Sequence, residues 1–299
     1  MADNWPECIP PYLVKRLSNF NIRSPAEVLL FSAEDLSETA GISLSSSTNI
    51  LASVAALFAP KPVEGLETFN ESCLISSSLP QLDRALGGGL RKGSLIELCG
   101  ESGVGKTQMC QTLAAEALSQ NRSVYWIDTE GTFRPERVFC ITDDLKASLD
   151  CLSVCQCRSL EDLSNALCSL NVILEKSDSF ALIVIDSIAA IARFAPGKLV
   201  DRQKSLHQIA RMVKRMNSVT IVTNHVSGDL SGTAQLSFRP ALGNTWAHDV
   251  NVRLWMQMET CDLSSSKRRW IQLVKVPSAV DESNQSILFT ITSKGIKEH

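Results

Sequence analysis

The stretch Gly100-Glu101-Ser102-Gly103-Val104-Gly105-Lys106-Thr107 decides the fold that this sequence predicts. It fits the pattern G-x-x-x-x-G-K-[ST] at every position, between the apolar run Leu95-Ile96-Glu97-Leu98-Cys99 and a helical pattern. In such a loop, backbone N–H groups surround phosphate oxygens. Lys106, a catalytic candidate, reaches the β- and γ-phosphates, and the Thr107 hydroxyl binds Mg²⁺. The sequence therefore predicts a P-loop core that binds ATP.

Two acidic residues near strand ends are candidates for the metal site and for catalysis. Ala181-Leu182-Ile183-Val184-Ile185-Asp186 reads as a buried strand that ends in a carboxylate, which makes Asp186 the candidate Mg²⁺ ligand. The alternative is an Asp that only caps the strand. Ser187 stands where many P-loop ATPases have a catalytic Glu. Glu130 follows a strand at 123–128 whose carboxyl end faces the same crevice, so Glu130 is the candidate general base. A solvated loop residue is the alternative.

Composition indicates an intracellular globular protein. The chain has 299 residues, of which 44% are apolar, enough for a large domain and a small one. A net charge of −3 means that any contact with nucleic acid must be a local patch. No apolar run is long enough to span a bilayer, and no secretory signal is visible, so no membrane is expected. Ten cysteines in such a chain indicate reduced thiols.

From about residue 73 onward, short apolar runs alternate with amphipathic segments. Strands are predicted at 94–99, 123–128, 151–155, 181–186 and 219–223, with helices near 106–119, 134–146, 160–175 and 201–217. This alternation favours an α/β fold with a mainly parallel sheet covered by helices on both faces. Further strands are predicted near 250–257, 269–276 and 286–291. They have no helices between them, so we expect them to extend the sheet as an antiparallel meander.

Residues 1–58 predict a small all-helical domain that precedes the core. Ser24-Pro25 and Ser32 start helices, and Gly41-Ile42-Ser43 is a hairpin-like turn into the last helix. Residues 59–72 read as a linker, which leaves 73–299 for the core. Residues 1–60 contain three Lys or Arg and six Asp or Glu. This acidity favours a packing or protein-contact role over DNA binding, although the turn resembles helix-hairpin-helix modules.

The sequence also resembles a known family. Ile127-Asp128-Thr129-Glu130-Gly131-Thr132-Phe133-Arg134-Pro135-Glu136-Arg137 is similar to the corresponding stretch of the eukaryotic RecA-type recombinases, which exchange DNA strands in homologous recombination. The resemblance runs from the N-terminal helices to near the end and includes Gly105-Lys106-Thr107-Gln108 and 182–190. Ala241-Leu242-Gly243-Asn244-Thr245-Trp246-Ala247-His248 most resembles the recombinase paralogues, with the X-ray repair cross-complementing branch as a candidate. The resemblance implies a RecA-like core, ATP and Mg²⁺ as cofactors, and a nuclear location.

The resemblance implies roles for residues around the nucleotide. Glu130 corresponds to the family's catalytic glutamate, and Gln108 continues the nucleotide-binding loop. Arg137 corresponds to an arginine that packs on adenine, and His248 to a histidine that senses nucleotide near the subunit interface. His225 stands where the family usually has a glutamine that senses the γ-phosphate. This departure from the family pattern puts that sensing role in doubt.

Two loops bind single-stranded DNA in the family. They correspond here to about 192–202 and 226–242, and both are shorter than in a full recombinase. The DNA-binding candidates in these loops are Arg193, Lys198, Arg202, Phe238 and Arg239. A helix face with Arg211, Lys214 and Arg215 reads as a solvated face, with a DNA or partner surface as the alternative.

The linker departs from the strand-exchange enzymes, which carry a Phe-x-x-Ala plug at this place. Here the linker has Phe69-Asn70-Glu71-Ser72, which favours hetero-oligomers over long homofilaments. The expected protein is a weak, DNA-dependent ATPase of homologous recombination that binds single-stranded DNA. It would assist the strand-exchange filament together with the recombinase and other paralogues. The alternatives are a ring-forming RecA-type helicase or motor, and a non-hydrolysing adaptor whose ATP site serves assembly.

Overall fold

The structure, a computed structural model, describes most of the chain. It covers residues 5–6, 9–20, 22, 24–29, 31–59, 74–142, 149–177, 180–228, 238–258, 268–277 and 286–299. The chain divides into two compact units, Met1–Glu71 and Ser72–His299. Almost all of the predicted linker at 59–72, including the site of the missing plug, lies outside the described residues. The predicted domain boundaries therefore stay predictions.

The described part of the first unit is helical. Its helices are α1 (Pro11–Asn19), α2 (Pro25–Val28), α3 (Ala33–Ala40) and α4 (Leu44–Phe58). Leu13, Leu17, Leu36 and Val54 are fully buried in a core of this unit's own. The helices predicted for 1–58 are thus observed in the described residues.

Caps define the ends of α3 and α4. The side chains of Ser32 and Ser43 accept hydrogen bonds from the backbone N–H groups of Asp35 and Ser46. Gly41 ends α3 with a φ of 58°, the left-handed conformation that glycine adopts without steric cost. The turn predicted at Gly41-Ile42-Ser43 is confirmed.

Within the described residues, no single helix is long and apolar enough to cross a membrane. Helices α3 and α4 reach the required length and apolarity only when they are taken together, and the chain bends by 113° between them.

The second unit is built on a sheet that has nine strands in the described residues, in the order β13-β12-β11-β10-β3-β7-β6-β4-β5. Two short ribbons, β1–β2 and β8–β9, accompany it. The strands are β1 (Leu74–Ile75), β2 (Leu90–Arg91), β3 (Leu95–Gly100), β4 (Val124–Asp128), β5 (Leu152–Gln156), β6 (Ala181–Asp186), β7 (Ser218–Asn224), β8 (Val226–Gly228), β9 (Phe238–Pro240), β10 (Val252–Met258), β11 (Arg269–Lys275), β12 (Ser286–Thr292) and β13 (Gly295–Glu298).

The sheet is parallel from β10 to β5 and antiparallel from β10 to β13. This confirms the α/β class and the late meander. The structure adds β13, which the sequence analysis did not predict. Its four residues follow β12 through a tight turn, and so short a strand gives little periodicity to detect.

Helices cover both faces of the sheet. They are α5 (Pro80–Ala85), α6 (Lys106–Ser119), α7 (Pro135–Ile141), α8 (Leu160–Leu174), α9 (Ile188–Arg193), α10 (Leu199–Arg215) and α11 (Gly243–Asp249). On β6, Leu182 and Val184 belong to the buried cluster that contains α5, α6 and α7. Ala181, Ile183 and Ile185 belong to the cluster that contains α8 to α11. This alternation explains the continuous apolar run of β6, because both of its faces are buried.

The helix predictions are right in type but differ in extent. The helix predicted at 134–146 ends at Ile141, and residues 143–148 lie outside the described residues. Helices α5, α9 and α11 were not predicted. Helix α9 begins two residues after β6 inside one apolar run, where periodicity alone does not separate a strand from a helix. The Ser187 hydroxyl caps α9 by accepting the N–H of Ala190.

Candidate functional site

The phosphate loop joins β3 to α6 at the carboxyl edge of the sheet. Its shape depends on Gly105, whose φ of 109° is a conformation that glycine adopts without steric cost; a Cβ atom there would also lie 2.9 Å from the end of the Ile291 side chain. The Lys106 ammonium lies inside the loop and donates to the carbonyls of Gly100 and Glu101, both at 2.8 Å. Burial lowers the pKa of Lys106, while the nearby carboxylates of Asp186 and Glu130 oppose that change. These two hydrogen bonds fix the Lys106 cation at the centre of the loop, where it could contact phosphate oxygens.

Asp186 joins three elements at this edge. Its Oδ2 accepts the Thr107 hydroxyl of α6 at 2.8 Å, and its Oδ1 accepts the Thr223 hydroxyl of β7 at 2.5 Å. Burial raises the pKa of Asp186; the two threonine hydrogen bonds lower it, and the negative charges of Glu130 and Asp128 raise it. A cation at this point would favour the ionised form, and a hydroxyl beside a carboxylate is the oxygen donor set that suits Mg²⁺. The residues present fit that metal.

Glu130 lies in the same cavity as Thr107 and Asp186, the candidate metal ligands, and two side chains bind it. Its Oε1 accepts the Ser187 hydroxyl at 2.7 Å and lies 3.2 Å from Nε2 of His225. Burial alone would raise the pKa of Glu130, but the hydrogen bonds from Ser187 and His225 outweigh it and lower the pKa below its usual value. Glu130 is therefore ionised at neutral pH, as a general base must be.

Asp128 shapes the loop that carries Glu130. Its carboxylate accepts four backbone N–H groups of the loop that follows, among them Gly131 at 2.8 Å and Phe133 at 3.0 Å. The N–H groups of Glu130 and Thr132 reach it at 3.1 and 3.3 Å. The sequence analysis missed this role. The signal was an Asp followed by a glycine-containing turn, which is the pattern of an Asx turn.

Thr129 ties the same loop to the end of β6. Its hydroxyl donates to the Ser187 carbonyl at 2.7 Å, and the N–H of Ser187 donates back to that hydroxyl at 2.7 Å. The N–H of Thr129 also donates to the Asp186 carbonyl at 3.0 Å. The ends of β4 and β6 are thus fixed to one another, with Glu130 on one and Asp186 on the other.

A cavity of about 250 Å³ lies over this edge. The predicted residues that line it are Ser102, Gly103, Gly105, Lys106, Thr107, Gln108, Glu130, Asp186 and His225. Three more lining residues, Ser187, Thr223 and Ile291, were not predicted as site residues. Gly100, Glu101 and Val104 do not line it: the first two bind Lys106 through their carbonyls, and Val104 is buried beneath the loop. Their predicted contact with nucleotide stays a prediction.

Arg137 lies on α7, outside the lining of this cavity. Its guanidinium donates to the Gln108 side chain at 2.8 Å and to the carbonyls of Thr292 and Ser293 at 2.6 and 2.7 Å. These bonds lie in the guanidinium plane, so they do not use the face that stacks on a base. Packing on adenine stays a prediction for Arg137.

His248 also lies apart from the cavity, in the last turn of α11. The ammonium of Lys275 binds the end of this helix through the carbonyls of Ala247 at 2.9 Å, His248 at 3.2 Å and Val250 at 2.5 Å. These bonds satisfy carbonyl groups that a helix end leaves free. A nucleotide-sensing role across a subunit interface stays a prediction for His248.

Two of the five DNA-binding candidates line a second cavity of about 230 Å³. Arg193 and Arg202 line it together with Ala241 and Leu242, so both predicted DNA segments meet there. Lys198 is exposed just before α10. The backbones of Phe238 and Arg239 lie in β9, while their side chains lie outside the description.

Phe194 was missed by the sequence analysis. It follows Arg193 directly, and its side chain is 82% exposed. A single phenylalanine next to a basic residue gives no sequence signal of exposure. An exposed ring beside cations is the feature that stacks on bases of a single strand.

The Rad51 family model matches residues 70–299. DNA repair protein RAD51 homolog 2 of Mus musculus is 30% identical, over 96% of this chain and 95% of that protein. Meiotic recombination protein DMC1 homolog A of Oryza sativa subsp. japonica is 29% identical, over 75% and 68%. DNA repair protein Rad51 homolog of Drosophila melanogaster is 31% identical, over 61% and 60%. None of these three names belongs to the X-ray repair cross-complementing branch, so that assignment stays a prediction.

Replacement of Glu130 by Gln tests the candidate base. The amide keeps the size of the side chain but cannot accept a proton from water, and a general base contributes about 10²- to 10⁴-fold in rate. We expect ATP hydrolysis to fall by that factor while ATP binding is kept, as measured by phosphate release and by nucleotide titration. Glu161→Gln, at an exposed position of α8, is the matched control. Equal turnover in Glu130→Gln and the parent would remove Glu130 from the role.

Proposed function

This chain belongs to the Rad51 family, and from that premise we propose that it is an ATP-dependent accessory protein of homologous recombination and DNA repair. It binds Mg²⁺·ATP at the carboxyl edge of the sheet and binds single-stranded DNA beside it. It works with a strand-exchange recombinase and with other family members, and its place of action is the nucleus. The names of the three relatives, which denote DNA repair and meiotic recombination proteins, support this proposal.

The observation that carries the proposal is the arrangement of charges around one cavity. Lys106, Thr107, Asp186 and the ionised Glu130 all line it, and the Thr107 hydroxyl donates to Asp186. A phosphate chain needs a cation at its oxygens and a metal ligand set, and hydrolysis needs an acceptor for a proton from water. All of these groups line the same cavity of about 250 Å³.

Each residue has a definite task in that reaction. When bound, Mg²⁺·ATP supplies the phosphoryl group and the metal charge that offsets its negative oxygens. Lys106 exchanges its carbonyl partners for phosphate oxygens, while Thr107 and Asp186 hold the metal. Glu130 orients the attacking water and takes its proton. Ser187 and His225 bind one oxygen of Glu130, Oε1, which leaves its other oxygen for water.

Single-stranded DNA binding is proposed for the surface around the second cavity. Arg193 and Lys198 are exposed there, and Arg202 donates to the Ala192 carbonyl at 3.3 Å. Cations of this kind bind phosphates, and the exposed Phe194 adds a surface for base stacking. The net charge of the chain is −3, so this local patch must supply the attraction.

Assembly with family members is proposed through the free edge of β5. Within the described residues β5 pairs with β4 alone, and Val154 on this strand is 48% exposed. Val172 and Ile173 of the following helix, α8, are also exposed. A free strand edge with apolar neighbours is able to accept an extended segment of a partner. The chain's own linker offers Glu71 and Ser72 where a plug would need apolar contact, and an unpaired buried carboxylate is costly.

The DNA proposal is tested with Arg193→Gln combined with Lys198→Gln. Loss of two phosphate contacts should weaken binding of an oligothymidylate and should reduce the slope of log K against log salt by about 0.7 per contact. Fluorescence anisotropy over a salt series measures both quantities. Arg84→Gln with Lys176→Gln removes the same two charge types at exposed positions elsewhere and should leave both unchanged. Unchanged affinity and slope in the first double variant would exclude this surface.

The assembly proposal is tested by the size of the complexes that form. We expect the isolated chain to stay small with ATP and single-stranded DNA, and to enter complexes when other family members are added. Val154→Asp should block that entry because it places a charge at the β5 edge. Val274→Asp, at a similarly exposed valine of β11, should not. Long regular homofilaments of the isolated parent in negative-stain images would contradict the proposal.

A further inference from the structure

Two cysteines lie at the end of the edge strand β5, and the proposed reaction uses neither. Cys155 lies in β5 and is exposed, whereas Cys157 follows the last residue of the strand and is only 2% exposed. Side chains two residues apart in an extended chain point to the same face. The two cysteines therefore form a dithiol with one sulfur open to solvent and the other covered.

The two thiols of this dithiol differ in their chemistry. Burial, and then the charge and the hydrogen bond of the neighbouring Cys155 thiol, raise the pKa of Cys157 to about 12. Cys157 therefore stays protonated at neutral pH. Since the thiolate is the form that reacts with oxidants, the exposed Cys155 is the sulfur that an oxidant attacks first. An accessible cysteine beside a second one that resolves it is the arrangement of redox-sensing pairs.

A disulfide between these cysteines requires the end of β5 to shorten. An extended strand advances about 3.3 Å per residue, which places Cα atoms two residues apart about 6.5 Å from one another. Disulfides span about 4.4 to 6.8 Å between Cα atoms, and most span about 5.5 to 6 Å. The pair is thus within reach, at the long end of the range. A strained disulfide of this kind is readily reduced again.

The strand end that must shorten is bonded to the loop of the candidate base. The N–H of Cys157 donates to the carbonyl of Asp128 at 3.1 Å, and Gln156 lies opposite Asp128 in the register of β4 and β5. The carboxylate of Asp128 accepts four N–H groups of the loop that carries Glu130. Contraction of the chain after Cys155 would break the bond to the Asp128 carbonyl. Oxidation at the sheet edge would therefore act on Glu130 through a single pair of strands.

We propose that Cys155 and Cys157 form a redox switch, in which hydrogen peroxide converts the dithiol to a disulfide and a thiol reductant restores it. The Cys155 thiolate attacks one peroxide oxygen, the O–O bond breaks, and the leaving hydroxide takes up the proton that the thiol released. The Cys157 sulfur then attacks the sulfur of the Cys155 sulfenic acid. The S–O bond breaks, and the leaving oxygen takes the Cys157 proton. Two thiols are oxidised, and one peroxide is reduced to two waters.

The disulfide form is expected to hydrolyse ATP slowly, because Glu130 is displaced. This consequence rests on the proposed function, whereas formation of the disulfide does not. The two parts of the inference are therefore measured separately, on the same samples of the full chain.

The first measurement is peptide mapping by mass spectrometry after treatment of the reduced chain with hydrogen peroxide. We expect Cys155 and Cys157 to be joined in a peptide that is lighter by two hydrogen atoms, and a thiol reductant to restore its mass. Cys155→Ser and Cys157→Ser should each prevent this change. Cys168→Ser removes another exposed thiol, on α8, and is the matched control that should still form the disulfide.

The second measurement is ATP hydrolysis before oxidation, after oxidation and after reduction. In the parent and in Cys168→Ser, we expect oxidation to lower turnover by up to about 10²-fold, the cost of misplacing a reacting group by about 1 Å, and reduction to restore it. Cys155→Ser should keep its turnover in peroxide. This variant changes an exposed side chain, so it decides the matter if thermal unfolding shows that Cys157→Ser does not fold.

A folded parent in which peroxide leaves both thiols free, or joins either one to a different cysteine such as Cys151, would overturn the inference. A mapped disulfide between Cys155 and Cys157 that leaves turnover unchanged would overturn the switch. A reduced parent that does not hydrolyse ATP would overturn the proposed function, and the mapping would still decide whether the disulfide forms.

Discussion

The carboxylate of Asp186 is the group on which the rest of the site depends. Its two oxygens accept hydroxyls from Thr107 at the start of α6 and from Thr223 at the end of β7. The phosphate loop and two parallel strands are thereby held together at one edge of the sheet. Burial raises the pKa of this carboxyl, and the charges of Glu130 and Asp128 raise it further against the two hydrogen bonds. An edge with three acidic groups requires positive charge, and Lys106 lies at its centre.

Parallel strands bring these residues together from distant parts of the chain. Asp128 and Asp186 are opposite one another in the register of β4 and β6, although 58 residues separate them. The loop after β4 then places Glu130 beside Ser187 and His225. On the other side of β7, the buried carboxylate of Glu97 in β3 accepts hydrogen bonds from Asn224 of β7 and from Trp246 of α11. The site and the proposed DNA surface therefore share β7 as a common support.

Much of this arrangement could be predicted because its signals are local. The phosphate loop, the buried strand that ends in Asp186, and Glu130 near the end of the neighbouring strand all follow from short patterns and the rule for strand ends. The alternation of strands and helices was sufficient for the fold. By contrast, α9 follows β6 so closely that its one local signal, the Ser187 cap, was not recognised, and α11 was not recognised within the segment that resembles the paralogues.

Contacts across long sequence distances could not be predicted. Arg137 binds backbone carbonyls of the β12–β13 turn, a contact that depends on how the antiparallel end of the sheet folds back over α7. Glu97 looked like one polar residue in an apolar strand, and its partners on β7, β10 and α11 are known only from the tertiary structure. The exposure of Phe194 is likewise a property of the folded surface.

On this view, the carboxyl edge of the sheet is a nucleotide site that a divalent metal ion completes. Calorimetric titration with ATP, in Mg²⁺ and in a chelator, tests it most directly when the parent is compared with Asp186→Asn. We expect Mg²⁺ to strengthen ATP binding to the parent and Asp186→Asn to lose most of this gain, because the amide removes the negative charge that attracts the metal. A parent that binds ATP equally well in the chelator, or a variant with the parent's full dependence on Mg²⁺, would contradict it.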